Sequence, residues 1–276
     1  LRITRNVWDG SDYVPFVWER WLADRNGHLC VATLDDRLLG LQHVQVQPDR
    51  TAWLEGIRVD EEVRGRGVGQ ALLEDGLQWA RSVRCPVARL STSSGNPSSN
   101  RIAEKAGLRE IARYESLSAT VPTHASPPAG VRLGHPSDRR TISDFLDRVQ
   151  SQGGIDGFYT EGWTAYPLTP SRLSLLLGTH AVMMSEVGEI DALGIATASV
   201  GRPYVRVGLL CGTPGGMEKI AAGVLMHANA ARLESVRATV DVPNGVLKRL
   251  TAYGFTNTGS NMILREMVLE PAACAS

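Results

Sequence analysis

The spacing of apolar residues changes from that of a strand to that of a helix around residue 60. The run at 53–59, Trp-Leu-Glu-Gly-Ile-Arg-Val, is apolar and partly β-branched, which is typical of a strand. Leu73, Leu77 and Ala80 recur at helical spacing, so a helix is predicted from Gln70 onward. Between them stands Arg-Gly-Arg-Gly-Val-Gly at 64–69. The pattern therefore predicts a strand, a glycine-rich turn and a helix in direct succession.

The rest of the first half alternates between strand and helix patterns. Residues 1–6 alternate like a short strand. Residues 12–24 predict a helix whose inner face carries Tyr13, Phe16, Val17, Trp18 and Trp21. Residues 28–34 and 38–46 flank Asp-Asp-Arg and predict a hairpin. After a strand at 87–92, Asn96-Pro97 is a strong helix start, and a closing strand follows at 109–118.

The second half repeats this order of elements. Strands are predicted at 181–186, 191–199, 204–211, 236–240 and 263–269, with a long helix at 217–233. Residues 120–130, rich in proline and small residues, mark the domain boundary. The turn at 212–216 lacks arginine, and Pro214 removes an amide. We interpret this as an internal duplication with one working ligand site, in the first half, and a degenerate second half that shapes the acceptor pocket or the domain interface.

Composition narrows the class of protein. The chain has 276 residues, and its 29 basic and 29 acidic residues give no net charge, which argues against nucleic-acid and membrane partners. The 4 cysteines are scattered and lack zinc-site spacing, so neither a metal nor a disulfide framework is expected. No apolar run could span a membrane and no signal peptide is visible, which favours the cytoplasm.

The turn at 64–69 has the chemistry of an anion site. The first amides of a helix have no partner inside it, glycines let the backbone approach a ligand, and the arginines add charge. These three features together predict a phosphate or pyrophosphate site. Gln70-Ala71 exclude the P-loop, and the glycine spacing excludes the dinucleotide fingerprint. The alternative is an ordinary tight strand-to-helix connection.

The pattern R/Q-x-x-G-x-G/A, carried by Arg64, Gly67 and Gly69, resembles the coenzyme A loop of the GNAT superfamily of N-acetyltransferases. The resemblance covers residues 1–119 well and the second half by architecture. It implies an α/β (α+β) fold of two tandem GNAT-like domains, each with a mixed, mostly antiparallel sheet flanked by helices. The implied ranges are 1–119 for the domain with the acetyl-CoA site, 120–130 for a linker and 131–276 for the degenerate domain.

The resemblance also implies a cofactor site. Backbone groups of the preceding strand would pair with the pantetheine arm, and Gly56 would form a bulge that opens the slot. The alternative for Gly56 is a chance glycine in a core strand. The implied acetyl-CoA-binding residues are Ile57, Arg58, Val59, Arg64, Gly65, Arg66, Gly67, Val68, Gly69, Asn96 and Ser99.

Glu55 is our candidate for the general base. By strand parity it would share a face with Trp53, Ile57 and Val59, and the family often places a Glu on this strand. The alternative is a solvated or arginine-paired carboxylate.

Three further positions complete the sequence-based site. Asn96 caps a helix and, by resemblance, bonds the pantetheine arm; the cap alone would also explain it. The family's usual acid, a Tyr, is replaced by Ala103, and Tyr114 or solvent could substitute. His28 and His43 are expected to be structural.

The implied function is transfer of an acetyl group from acetyl-CoA to the primary amine of a small molecule. The runs at 12–15, 18–22 and 51–59 are similar to the histidine N-acetyltransferase-like branch, which implies an amino acid or similar amine. One alternative is an inactive acyl-CoA-binding or sensor protein, and another is a nucleotide-binding α/β protein. The oligomeric state stays open, and a homodimer is compatible with the sequence.

Overall fold

The computed structural model describes residues 2–10, 12–123, 128–199 and 202–269. The α-helices there are α1 (Val14–Ala23), α2 (Val68–Ser82), α3 (Pro97–Lys105), α4 (Arg139–Ser151), α5 (Pro170–Gly178), α6 (Pro214–Ala230) and α7 (Asn244–Leu250). The strands are β1 (Gly27–Leu34), β2 (Arg37–Val46), β3 (Ala52–Val59), β4 (Val87–Ser93), β5 (Arg109–Thr120), β6 (Val131–Leu133), β7 (Phe158–Glu161), β8 (Thr164–Pro167), β9 (Val182–Val187), β10 (Glu189–Ala198), β11 (Tyr204–Gly212), β12 (Ser235–Val240), β13 (Thr256–Asn257) and β14 (Met262–Val268).

The chain forms two compact units. The first unit comprises residues 1–92, 96–111 and 264–276, and the second comprises 93–95 and 112–263. Most of β5, predicted as the closing strand of the first half, thus belongs to the second unit, and most of β14 belongs to the first. The domain ranges 1–119 and 131–276 stay a prediction about the sequence duplication. Part of the linker at 120–130 lies outside the described residues, and Thr120 ends β5.

The first unit has the strand order β1-β2-β3-β4-β14. The predicted hairpin β1–β2 is confirmed, and β2 continues antiparallel into β3, whereas β3 and β4 are parallel. A parallel pair needs a crossover, and α2 provides it. The apolar stripe of α2 covers one face of the sheet, where Leu73 and Leu77 pack with Val44 and Leu54.

The opposite face of the first unit is covered by α1. Trp21 of α1 is buried with Ile3 and Leu41, whereas Phe16, predicted on the inner face, is 77% exposed. The strand predicted at 1–6 is wrong: Arg2–Thr4 is a 3-10 turn closed by Arg5 N donating to Arg2 O. A strand would send adjacent residues to opposite faces, but Ile3 and Thr4 are both buried.

The second unit repeats the order strand, helix, parallel strand. Its strands run β5-β12-β11-β10-β9-β6, with β13 paired to β5, and α6 connects the parallel pair β11 and β12. Helices α6 and α7 pack on one face, and α4, α5 and the β7–β8 hairpin contribute to the cluster on the other. The predicted fold class, mixed sheets flanked by helices, is confirmed.

Candidate functional site

The loop before α2 is shaped by two glycines in the left-handed region. Gly65 has φ +78° and Gly67 has φ +87°, and Gly67 is the N-cap of α2. A Cβ built at either position would meet nothing within 4 Å. These glycines are therefore required by the backbone conformation, and none of the described residues fills the space beside them.

The start of α2 presents unpaired amides to that space. The first helical hydrogen bond in the described chain runs from Ala71 N to Gly67 O, so the amides of Val68, Gly69 and Gln70 precede it. The helix dipole places partial positive charge at the same point. This is the geometry in which a helix binds a phosphate.

The two arginines of the loop lie at its surface. Arg64 donates from Nε to the carbonyl oxygen of Val59 at 3.4 Å and lies 3.6 Å from a carboxylate oxygen of Glu61. Its side chain is 56% exposed, and Arg66 is exposed as well. Both can therefore add charge to an anion held by the amides.

Gly69 has a different role from the other two glycines. Its own Cβ would lie 3.0 Å from Ile102 Cδ1 and 3.5 Å from Val59 Cγ2. A side chain here would push α2 away from α3 and β3. Gly69 therefore brings the helix start close to the end of β3.

Strands β3 and β4 separate in front of this loop. Within the described residues they pair only at Ala52–Ala88 and Trp53–Arg89, although β3 continues to Val59. We call the unpaired stretch beyond these residues the β3–β4 slot. The backbone of Ile57, Arg58 and Val59 borders it, and its pairing with an extended ligand stays a prediction.

The predicted bulge at Gly56 is confirmed. Its φ is +71°, and the register with β2 slips there, because Leu41 pairs with Arg58 but His43 pairs with Glu55. A Cβ at Gly56 would lie 2.3 Å from Trp21 Cη2, so only glycine fits against this ring.

The bulge overturns the predicted face of Glu55. Ile57 packs in the same apolar cluster as Leu54, and Val59 lies near Gly69, so both are on the α2 side. One extra residue in a strand reverses the alternation beyond it. Glu55 is therefore separated from Ile57 and Val59.

Arg58 faces the α1 side and is held by Asp12. Its Nε and Nη2 donate to the two Asp12 carboxylate oxygens at 2.8 and 2.7 Å, a bidentate pair. Because the side chain is engaged, the backbone is the part of Arg58 that can serve a ligand.

Glu55 is part of a polar cluster that sequence reasoning missed. His43 Nδ1 lies 3.1 Å from Glu55 Oε1, and His43 Nε2 lies 3.3 Å from Asp24 Oδ2. The His43 ring is 1% exposed and stacks on Trp21, with the ring centroids 4.7 Å apart. The imidazole thus lies between the Glu55 carboxylate and the Asp24 carboxylate, and the Asp24 side chain is the more exposed of the two. The signal was in the pairing of β2 with β3, because a correct register puts His43 opposite Glu55.

Tyr13 lies at the edge of this cluster. Burial, and then the negative charge of Glu55, raise the pKa of its phenol well above the usual range. Its ring stands perpendicular to the Trp21 ring at a centroid distance of 6.0 Å. Tyr13 therefore stays protonated and can donate a hydrogen bond.

The cap role of Asn96 is confirmed. Its Oδ1 accepts from Ser99 N at 3.1 Å at the start of α3. The roles of Asn96 and Ser99 toward a ligand stay predictions. Ala103 is 1% exposed, and its methyl side chain cannot supply a proton. Tyr114 lies in the second unit, and its hydroxyl donates a hydrogen bond to Asp156 Oδ2.

The second unit contains a counterpart of the slot that is filled. Gly208 is the extra residue where β11 slips against β10, and β11 and β12 pair only up to Val207–Ala238 in the described chain. Thr160 of β7 occupies the place beyond: its backbone oxygen lies 1.8 Å from a Cβ built at Gly208, and its Oγ1 donates to Thr239 O at 2.8 Å. The β7–β8 hairpin therefore takes the position that a ligand would need.

A comparison with protein families supports the resemblance found in the sequence. Residues 2–108 match the model described as the Acetyltransferase (GNAT) family. The matched range contains β1 to β4, the loop, α2 and α3.

Curated relatives are also similar to the chain. It is 27% identical over 201 residues to a histidine N-acetyltransferase of Oreochromis niloticus, and 26% identical over 198 residues to one of Xenopus tropicalis. Each alignment covers 64% of this chain and 58% of the relative. The chain thus matches just over half the length of these relatives.

Solved structures share the fold over nearly the whole chain. A GCN5-related N-acetyltransferase from Sphaerobacter thermophilus has a TM-score of 0.60 at 14% identity, covering 98% of this chain and 91% of that one. A tandem GNAT protein from the clavulanic acid biosynthesis pathway has a TM-score of 0.54 at 14% identity, covering 96% and 90%. At this identity the likeness shows the fold, including its tandem form.

Proposed function

We propose that the protein is an N-acetyltransferase, because residues 2–108 match the model of the GNAT acetyltransferase family. It transfers an acetyl group from acetyl-CoA to the primary amine of a small molecule. The observation that carries the proposal is the β3–β4 slot, which ends at a loop of left-handed glycines and free helix amides.

Acetyl-CoA is bound by the main chain of the first unit in this proposal. The amides of Val68, Gly69 and Gln70 take the pyrophosphate, with charge added by Arg64 and Arg66. The pantetheine arm runs along the β4 side of β3 and pairs with its backbone. A backbone N–H of β3 polarises the thioester carbonyl.

Glu55 removes the proton from the acceptor ammonium group, directly or through water. His43 acts behind it, because its Nδ1 lies 3.1 Å from Glu55 Oε1 and can share the proton that Glu55 takes up before the proton passes to solvent. The amine nitrogen then attacks the thioester carbon, the C–S bond breaks, and the nitrogen loses its second proton to solvent as the amide forms. Because Ala103 offers no acid, the departing thiolate takes its proton from solvent, which its pKa near that of an ordinary thiol permits.

The proposed acceptor is a free amino acid or a similarly small amine. Two relatives named histidine N-acetyltransferase support this class, at 27% and 26% identity. A second candidate, an inactive acyl-CoA-binding or sensor protein, is favoured by the buried Ala103 at the position of the usual acid. A thiol-release assay with a panel of amino acids separates the two, because only the enzyme liberates CoA.

We also propose a compartment and partners for the protein. The three described cysteines, Cys30, Cys85 and Cys211, are free thiols, which fits a reducing cytoplasm. No helix among the described residues has the length and hydropathy to cross a membrane. Partners other than the small amine are not proposed, and the homodimer stays an alternative.

The decisive experiment is calorimetric titration of CoA into two glycine variants. Gly67→Leu should abolish binding, because the side chain would enter the space where the phosphates lie. Gly188→Leu is the matched control: Gly188 has φ +78°, and its Cβ also meets nothing within 4 Å, in the β9–β10 turn. It suffers the same backbone strain and should bind CoA as the wild type does. Equal affinity in both variants would refute the loop assignment.

A further inference from the structure

A second polar cluster lies on the α2 side of the first unit. It consists of His28 and Cys30 on β1 and Asp75 on α2, and we call it the His28 cluster. One ligand atom from each residue lies within 4.8 Å of the other two. His28 Nε2 and Asp75 Oδ2 are 2.7 Å apart. The mechanism proposed above uses none of these residues.

The fold holds the three side chains together for simple reasons. His28 and Cys30 are two apart on a strand and therefore share a face. Asp75 and Trp79 are one turn apart on α2, and the His28 ring stacks on Trp79 with centroids 5.3 Å apart and planes within 10°. The stacking fixes the plane of the imidazole while Nε2 points to Asp75.

An unsatisfied buried amide lies next to the cluster. Gln42 is directly opposite Cys30 in the β1–β2 register and is fully buried. Among the described residues, neither its Oε1 nor its Nε2 has a hydrogen-bond partner. Its Oε1 lies 3.1 Å from the Cβ position of Gly76, the neighbour of Asp75. Because buried amides are rarely left unpaired, this group points to a further species beside the cluster.

We propose that the His28 cluster binds a zinc ion through Cys30 Sγ, His28 Nε2 and an Asp75 carboxylate oxygen. Imidazole, thiolate and carboxylate are the ligand types that Zn²⁺ takes, and three protein ligands leave a fourth position for water. The thiolate and the carboxylate together neutralise the two charges of the ion, and the thiol proton passes to the buffer on binding.

The protein groups around Cys30 disfavour its thiolate form. Burial, and then the hydrogen bond and charge of Asp75, raise the pKa of the Cys30 thiol to about 12. A divalent ion reverses the contribution of Asp75, because it binds the carboxylate and the sulfur together. The site runs against the expectation from the sequence, where the cysteine spacing gave no metal signal.

The test is titration of the full chain with Co²⁺, whose ligation by sulfur gives an ultraviolet charge-transfer band. Zn²⁺ is then added as a competitor. The wild type should bind one equivalent of Co²⁺ with that band and release it to Zn²⁺. Cys30→Ser should lose the band and weaken Zn²⁺ binding by more than the roughly 10–100-fold that follows loss of an outer-shell partner. Cys85→Ser is the matched control, since Cys85 is a buried free thiol outside the cluster and should leave the band unchanged.

A second variant covers the case in which Cys30→Ser fails to fold. The Asp75 side chain is 52% exposed, so Asp75→Asn should fold normally, yet it should also weaken Zn²⁺ binding. A wild type without the charge-transfer band, or a band that survives in Cys30→Ser, would overturn the proposal. So would equal Zn²⁺ affinity of Asp75→Asn and the wild type.

Discussion

Replacement of Gly56 by alanine should destabilise the first unit strongly. At φ +71° an L-residue costs about 1–2 kcal/mol. The new Cβ would also lie 2.3 Å from Trp21 Cη2, and overpacking of this kind costs about 1–3 kcal/mol more. Together these effects predict a loss of roughly 2–5 kcal/mol in the free energy of unfolding.

Gly65→Ala is the matched control for this variant. Gly65 has φ +78°, but nothing lies within 4 Å of its Cβ position. It should therefore lose only the backbone part, about 1–2 kcal/mol. Both substitutions reduce the entropy of the unfolded chain equally, so that contribution cancels between them.

The assay is urea unfolding followed by circular dichroism, with the midpoint and the slope fitted for each variant. A third measurement repeats Gly56→Ala in a Trp21→Phe background. The smaller ring should reduce the destabilisation by Gly56→Ala toward that of Gly65→Ala, because residues in contact have coupled effects on stability. Equal destabilisation by Gly56→Ala and Gly65→Ala would refute the view that the Trp21 ring requires glycine at the bulge.

The other predictions concern turnover, stoichiometry and pH. Glu55→Gln should lower kcat by about 10²–10⁴-fold with KM for acetyl-CoA unchanged; an unaltered pH–rate profile would exclude it as the base. His43→Gln should lower kcat less and shift that profile, and a change in KM alone would contradict a relay role. Calorimetry should give one CoA per chain, because Thr160 fills the second slot, and a second equivalent would refute this. The hydrogen bond from Arg37 holds the pKa of Asp60 below its ordinary 3.8, so this carboxylate stabilises the fold above that pH. The contribution should disappear as pH falls further, and Asp60→Asn should unfold with a weaker pH dependence below about pH 4, measured by acid titration.

The sequence predicted the parts of the fold that depend on local patterns. The strand, loop and helix around residue 60 were found because Gly65 and Gly67 have a local conformational reason to be there. The repeated order of elements was also visible in local patterns, because β11, α6 and β12 repeat the periodicities of β3, α2 and β4.

Long-range pairing was not predictable from these patterns. The partners of β5 and β14 are set by contacts over more than a hundred residues, which no local period encodes. The β7–β8 hairpin was likewise missed, and with it the filling of the second slot. The face of Glu55 was predicted wrongly although the bulge at Gly56 was expected, because the one-residue shift was not carried through to Ile57.

The most direct test of the account is a crystal structure of the protein with acetyl-CoA. We expect the pyrophosphate within hydrogen-bond distance of the amides of Val68, Gly69 and Gln70, and the pantetheine arm along β3 up to Glu55. Acetyl-CoA bound beside β11 instead, or a β3–β4 slot that stays closed to saturating ligand, would contradict the central claim.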